Sequence, residues 1–281
     1  MTDDITRLNA CQIVSLVQQR ALSATEVLDA HIANIQACNV DVNALVTLCL
    51  DRARSEAAAV DSLSTAELLK LPLAGLPYAV KDTIQTQGLL TTFGSKLFAD
   101  HVPDFDATHV SRARAAGAIV VGKSNTPEFA SGAQTCNPVF GLTRNPLDLT
   151  RTVTGSSGGA AAALAAHMVP MADGSDLGGS LRAPASVCGV VGFRPTAGQV
   201  PRRDNPLPYN PLHVFGPMAR SVEDIALFMS IFSGSDEYCP QSNCARTLDY
   251  TQSLEFDCAG VRLAWSTNPC GVKSDPAVVI A

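Results

Sequence analysis

Two glycine–serine clusters, Gly155-Ser156-Ser157-Gly158-Gly159 and Leu177-Gly178-Gly179-Ser180, flank one apolar run, AAAALAAHMVPMA. Glycine loses more conformational freedom on folding than any other residue, so such clusters mark places where backbone turns sharply or approaches something closely. The alanine-rich part suits a helix over 158–167, and "MVPMA" suits a short buried strand. A fold containing this unit must hold two hydroxyl-bearing loops at the ends of one buried helix–strand pair.

The flanking sequence reads as the rest of an α/β layer structure. Ser23-Ala24-Thr25-Glu26 is a capping-box pattern, with Leu28, Ile32 and Ile35 following at helical spacing. The segment 43–50 reads as a buried strand, 51–64 as a helix and Tyr78-Ala79-Val80 as a strand entering the core. A helix stopping near Gly117, a strand over 118–121, and a helix opened by Thr126-Pro127-Glu128 follow. "GVVGF" and "GVRLAWS" read as further core strands, and Ser274-Asp275-Pro276 as a helix start. The simplest architecture is α/β: a mixed central sheet covered by helices on both faces. One domain over 1–281 is expected, with a helical region to about 70, a catalytic core to about 232 and an incomplete C-terminal part thereafter. The closing "PAVVIA" is under two helical turns, so the sequence reads as C-terminally truncated, with low stability, poor solubility and little activity expected.

Composition excludes several classes. With 46% hydrophobic and 16% charged residues the chain is globular, and a net charge of −6 without any basic stripe argues against nucleic-acid binding. Its longest apolar stretch is broken by His167 and Pro170 and is too short for a bilayer, so no membrane partner and a cytoplasmic location are expected. Nine cysteines without a CxxC pair read as mostly buried, reduced thiols rather than metal or disulfide sites.

Three chemistries compete for the clusters. Gly155 to Gly159 matches GxSxG, which would make Ser157 a nucleophile with Asp204, Asp224 or His213 as partners, but the preceding "NPLDLTRTVT" is no buried strand. A phosphate cradle fails because GSSGGA lacks the lysine of a phosphate loop and GSDLGG lacks the second glycine of GxGxxG. The remaining reading makes the amides around Leu177, Gly178 and Gly179 oxyanion donors and Ser180 the nucleophile. None of the five histidines lies in a glycine-rich loop. Lys81, closing the apolar strand "GLPYAVKD", is the candidate base because burial disfavours its charged form; its plainer role is a strand-end lysine paired with Asp82.

The stretches "GLPYAVKD", "AGAIVVGKSNTPEFASG", "NPVFGLTRNP", "GSSGGAAAALA", "ADGSDLGGSLRAPASVCGVVGFRPTAG" and "GPMARSVEDIALFM" together resemble the amidase signature family. Ser180 lies 24 positions after Ser156, which lies 75 after Lys81, as that family's Ser-Ser-Lys triad requires. The resemblance implies Ser180 as nucleophile, Ser156 as a bridging serine held by a cis peptide after Gly155, and Lys81 as base. It also implies oxyanion donors from Leu177 to Ser180, with Ser157, Asp176 and Arg182 in support. The family usually has Pro-Gly-Gly before the paired serines, whereas Val153-Thr154-Gly155 stands here.

By that resemblance the chain is a serine amidohydrolase cleaving a carboxamide through an acyl-enzyme, without metal or organic cofactor. A small-molecule amide is its expected substrate, and a homodimer is kept open. The family also includes the glutaminase subunit of tRNA-dependent amidotransferases. Ala183 stands where that branch is expected to carry glutamine, which favours a free-standing amidase. A non-catalytic fragment of such an enzyme is the remaining alternative.

Overall fold

The computed structural model describes residues 2–203, 206–246, 248–254, 257–264, 266 and 271. The helices α1 (Thr2–Arg7), α2 (Ala10–Gln18), α3 (Ala24–Val42), α4 (Leu50–Ser62) and α5 (Thr65–Leu68) occupy the N-terminal part, with strand β1 (Leu45–Leu48) between α3 and α4. Then come β2 (Pro77–Lys81), α6 (Thr108–Ala115) and β3 (Ile119–Ser124). Two small hairpins follow, β4 (Cys136–Asn137) with β5 (Gly141–Leu142) and β6 (Arg144–Asn145) with β7 (Asp148–Thr152). The chain continues through α7 (Gly158–Ala165), β8 (Met171–Asp176), α8 (Arg182–Cys188), β9 (Val191–Gly192), β10 (Val214–Ala219) and α9 (Val222–Phe232).

The main sheet is mixed and runs β1-β3-β2-β8-β10-β9. Its central pairs, β3 with β2 and β2 with β8, are parallel, and the outer pairs are antiparallel. Central strands β2, β3 and β8 are buried along their whole length, as a parallel sheet covered on both faces requires. Successive strand residues point to opposite faces. On β2, Lys81 turns towards the start of α7, while Tyr78 turns towards Phe232 of α9. The small side chains of α7 let it lie close against the sheet. A Cβ on Gly159 would strike the Asn125 backbone nitrogen, so this first turn can carry only glycine there.

The capping box at α3 forms as read: Ser23 Oγ accepts the Glu26 N–H at 3.1 Å, and the Glu26 carboxylate accepts the Ser23 N–H at 2.8 Å. Leu28, Ile32 and Ile35 are buried. Two expected elements differ. Thr126-Pro127-Glu128 opens only a three-residue 3-10 turn, Glu128–Ala130, because Phe129 and Ala130 both take positive φ (53° and 54°), which no α-helix continues. Residues 261–264 of "GVRLAWS" form no strand, and Val261 and Leu263 are exposed rather than in the core. The expected helix at 276–281 lies outside the described residues.

Candidate active site

Lys81 closes β2, and its side chain is fully buried. Its Nζ donates to three hydroxyl oxygens: Ser156 Oγ at 2.8 Å, Ser157 Oγ at 2.9 Å and Ser175 Oγ at 3.0 Å. Burial is the dominant influence and brings the ammonium down from 10.5 to about 7, against the opposing pull of Asp173 and Asp176. Asp82 does not pair with this lysine. Its carboxylate accepts the Thr92 N–H at 3.1 Å, the Thr92 hydroxyl at 2.5 Å and the Gly94 N–H at 3.4 Å.

The segment 154–157 delivers the two serines. Thr154 and Gly155 both adopt left-handed backbone, with φ of 51° and 60°. A Cβ at Gly155 would lie 2.7 Å from Pro184 Cδ, so the turn needs glycine on steric as well as conformational grounds. The expected cis bond before Ser156 is absent; the peptide is trans, and the paired positive-φ residues make the chain reversal instead. Thr154 thus occupies, in a conformation that costs a β-branched residue about 1–2 kcal/mol, a position where glycine would be free of strain.

Ser156 is buried beside Lys81, and its backbone N–H donates to Ser180 Oγ at 3.2 Å. The lysine-to-Ser156 contact is therefore formed, while Ser156 meets Ser180 through its amide. Ser180 is part-exposed at the foot of an open cavity of about 450 Å³, lined by Phe129, Ser131, Thr154, Leu177 and Gly178. Ser157 is not presented as a nucleophile: it is buried under Gly174, and its hydroxyl donates to the Ser175 carbonyl at 3.3 Å. The strand before it, β7, belongs to an exposed hairpin. Of the acids that could have served Ser157, Asp224 accepts the Cys11 N–H at 3.0 Å, and Asp204 lies outside the described residues.

Asp176 organises the loop carrying Ser180. Its fully buried carboxylate accepts the amides of Gly179 (2.9 Å) and Leu181 (3.1 Å), and both Arg182 (3.0 and 3.1 Å) and Arg194 (3.0 Å). Burial raises its proton affinity, but Arg182 and the two amides outweigh that and hold it at about 2. The Gly179 amide is thereby engaged, which leaves those of Leu177, Gly178 and Ser180 as the donors turned to no partner among the described residues. Arg194, in the "GFRPTAG" stretch, lies 18 positions from Asp176 and has no local sequence signal for this contact.

Among the described residues, no histidine bonds Ser156, Ser157 or Ser180. His31 bonds the Val27 carbonyl, His101 Gln85, His109 Asp173 and His167 the Thr6 carbonyl. Burial drives His213 down to about 3, reinforced by Arg202 and Lys81, so it stays neutral. Among the described residues no group of three or more His, Cys, Asp or Glu could hold a metal ion, and no helix is long and apolar enough to cross a membrane. A wider groove of about 740 Å³ between α2 and α9, lined by Cys11, Gln12 and Glu223, holds none of these candidates.

The fold and the site define an α/β protein with a buried lysine set against paired loop serines. A family model described as Amidase matches residues 26–280, and the chain belongs to the amidase signature family. It is 40% identical over 260 residues to a subunit of the glutamyl-tRNA(Gln) amidotransferase of Anaeromyxobacter dehalogenans, covering 92% of this chain and 53% of that relative. Among solved structures it is similar to a chain of a vestigial protein complex bearing on the origins of an s-triazine catabolic enzyme. That match has a TM-score of 0.85 and 39% identity, and covers 91% of this chain and 56% of the other. A bacterial aryl acylamidase matches with a TM-score of 0.82 and 33% identity over 88% and 51% of the two chains. The chain spans about half the length of the relatives it matches.

Proposed function

We propose that this chain carries the catalytic apparatus of a serine amidohydrolase that cleaves a carboxamide C–N bond, other than a peptide bond, through an acyl-enzyme. The observation that carries the reading is Lys81 Nζ, fully buried and 2.8 Å from Ser156 Oγ, with hydroxyls and no carboxylate as its hydrogen-bond partners. A lysine poised near neutrality in a dry site is a competent general base. Ser180 Oγ attacks the carbonyl carbon and passes its proton to Ser156 Oγ, while Ser156 passes its own to neutral Lys81. The amides of Leu177, Gly178 and Ser180 face the developing oxyanion. Lys81 then returns its proton through Ser156 to the leaving nitrogen as the C–N bond breaks. Water repeats the attack on the acyl-Ser180 ester by the same proton route and frees the carboxylic acid.

The second reading is the glutaminase subunit of a tRNA-dependent amidotransferase working with partner subunits. Identity of 40% to the glutamyl-tRNA(Gln) amidotransferase relative supports it, and Ala183 in place of glutamine speaks for a free-standing amidase on a small-molecule amide. Treating the protein with a fluorophosphonate and mapping the adduct by mass spectrometry tests the common core. The expected adduct is on Ser180; an adduct on Ser157 would sink the assignment. Hydrolysis of a simple aryl amide without partners, against glutamine hydrolysis that appears only with them, separates the two readings.

A further inference from the structure

Beneath the candidate base, on the opposite face of the sheet, lies a buried polar triangle that the catalytic reading leaves unused. Asp173 of β8 is fully buried. Its Oδ1 accepts the backbone N–H of Lys81 at 2.7 Å. Its Oδ2 accepts the Tyr78 hydroxyl and His109 Nε2, the latter at 2.9 Å. His109 Nδ1 is buried without a hydrogen-bond partner among the described residues, so the useful donor of this ring is the Nε2–H facing Asp173. Phe215 and Phe232 enclose the imidazole, with ring centroids 5.2 and 5.0 Å away. A carboxylate in such an apolar cage acts over a longer range than one near water.

We propose that Asp173, clamped by Tyr78 and His109, is a positioning residue that fixes the end of β2 and sets how firmly Lys81 holds its proton. The proposal rests on Lys81 being the base. The charged and titratable groups around that lysine are few. Strand β8 supplies Asp173 and Asp176, β2 supplies Tyr78, the residue just past β2 is Asp82, β3 supplies Lys123, α6 supplies His109 and the segment before β10 supplies His213; α7, GGAAAALA, supplies none. Asp176 is matched by Arg182 and Arg194, and Asp82 faces Lys123. Asp173 receives only neutral donors from Tyr78 and the Lys81 amide, plus the imidazole. Lys123 of β3 also lies within electrostatic reach of Asp173, so this carboxylate acts on both buried lysines. The pull of Asp173 on Lys81 opposes the burial that favours the neutral amine.

Asp173→Asn keeps an oxygen for the Lys81 N–H and removes the charge. In protein labelled with carbon-13 at lysine Cε, the Lys81 titration midpoint is expected to fall by about one pH unit. The acid limb of Ser180 labelling by fluorophosphonate against pH should fall with it. Should Asp173→Asn fail to fold, Asp173→Leu combined with Tyr78→Phe and His109→Phe replaces the whole triangle with apolar groups and should show the same fall. A folded variant of either kind whose Lys81 midpoint stays at the wild-type value overturns the proposal. A midpoint that falls while the labelling limb stays put supports the tuning by Asp173 and overturns Lys81 as the base.

Discussion

Two buried lysines stand on adjacent parallel strands, and they lead different lives. Lys81 and Lys123 are both fully buried, and burial lowers both, to about 7 and about 8. The register pairs Val80 with Lys123 and Lys81 with Ser124, so the two side chains leave the sheet on opposite faces. Lys123 Nζ donates to the Ile84 carbonyl at 2.5 Å and Thr86 Oγ1 at 2.8 Å, and its charge balances Asp82. Lys81 meets three hydroxyls instead, one of them Ser156, whose amide touches Ser180. Desolvation alone therefore does not make a base. The Ile84 carbonyl can only accept, and the one hydroxyl beside Lys123, that of Thr86, already gives its proton to that same carbonyl at 3.0 Å. The Ser156 hydroxyl beside Lys81, by contrast, lies next to Ser180 and can give its proton to a neutral amine.

The largest expected effect tests that division directly. Lys81→Met should slow acylation of Ser180 roughly a thousandfold or more, since it removes the proposed base and its link to Ser156. Its thermal midpoint should hold or rise, because a long apolar side chain replaces a buried cation. Lys123→Met should do the reverse. It leaves the Ile84 carbonyl without its donor and Asp82 without a counter-charge, at a cost of about 2–3 kcal/mol, with acylation per folded molecule within a few-fold of wild type. Paired calorimetry and labelling rates check both. Comparable loss of rate in the two variants would erase the distinction.

The sequence discloses this contrast only in part. Lys81 is legible because an apolar strand ends on it, and Ser156 and Ser180 are legible because local glycine clusters frame them. The strand at Tyr78–Val80 and the Ser23 cap are written in short-range patterns and form as read, whereas the strand read over "MVPMA" forms further on, over Met171–Asp176. Lys123, Asp173, His109 and Arg194 carry no local signal of their own. Their partners lie 64 positions away for His109 and Asp173, and 18 for Arg194 and Asp176, so only the folded sheet brings them together. The truncated 3-10 turn at Glu128 escapes for a related reason. Thr-Pro-Glu is a sound helix start, but the Phe129 N–H is taken by the Phe93 carbonyl at 2.7 Å, and a distant strand-end loop overrides the local preference.

A smaller effect is expected in stability against pH. An unfolded lysine keeps its proton to about 10.4, so between each folded midpoint and that value the unfolded chain binds more protons than the native one. Stability therefore rises with pH, by up to about 1.4 kcal/mol per unit for each lysine, beginning near pH 7 for Lys81 and near pH 8 for Lys123. Below those values the cost of the buried cation is fully present. Cys11, Cys49 and Cys188, raised to about 12, 11 and 12 by burial foremost, pull the other way above pH 9. The window from pH 6.5 to 9 is thus the informative one for urea titrations. Lys81→Met should remove the part of the slope that opens near 7, and Lys123→Met the part that opens near 8. A slope unchanged in both variants would mean that neither lysine is depressed by burial.

The smallest expected effect compares single hydroxyls in the two wells. Thr86 Oγ1 accepts from Lys123 at 2.8 Å and donates to the Ile84 carbonyl at 3.0 Å, and Ser175 Oγ accepts from Lys81 at 3.0 Å. Thr86→Val and Ser175→Ala each delete one acceptor of a buried ammonium, and each should cost about 1 kcal/mol of stability. Their kinetic consequences should part. Loss of an acceptor weakens the charged form, so Ser175→Ala should move the acid limb of Ser180 labelling to lower pH by a fraction of a unit. Thr86→Val should leave that limb in place, since the lysine it disturbs is on the other face. Labelling rates taken every half pH unit from 5.5 to 9 resolve a shift of that size. If the limb moves in Thr86→Val and stays in Ser175→Ala, the titrating group belongs to the Lys123 well, and the roles of the two lysines must be exchanged.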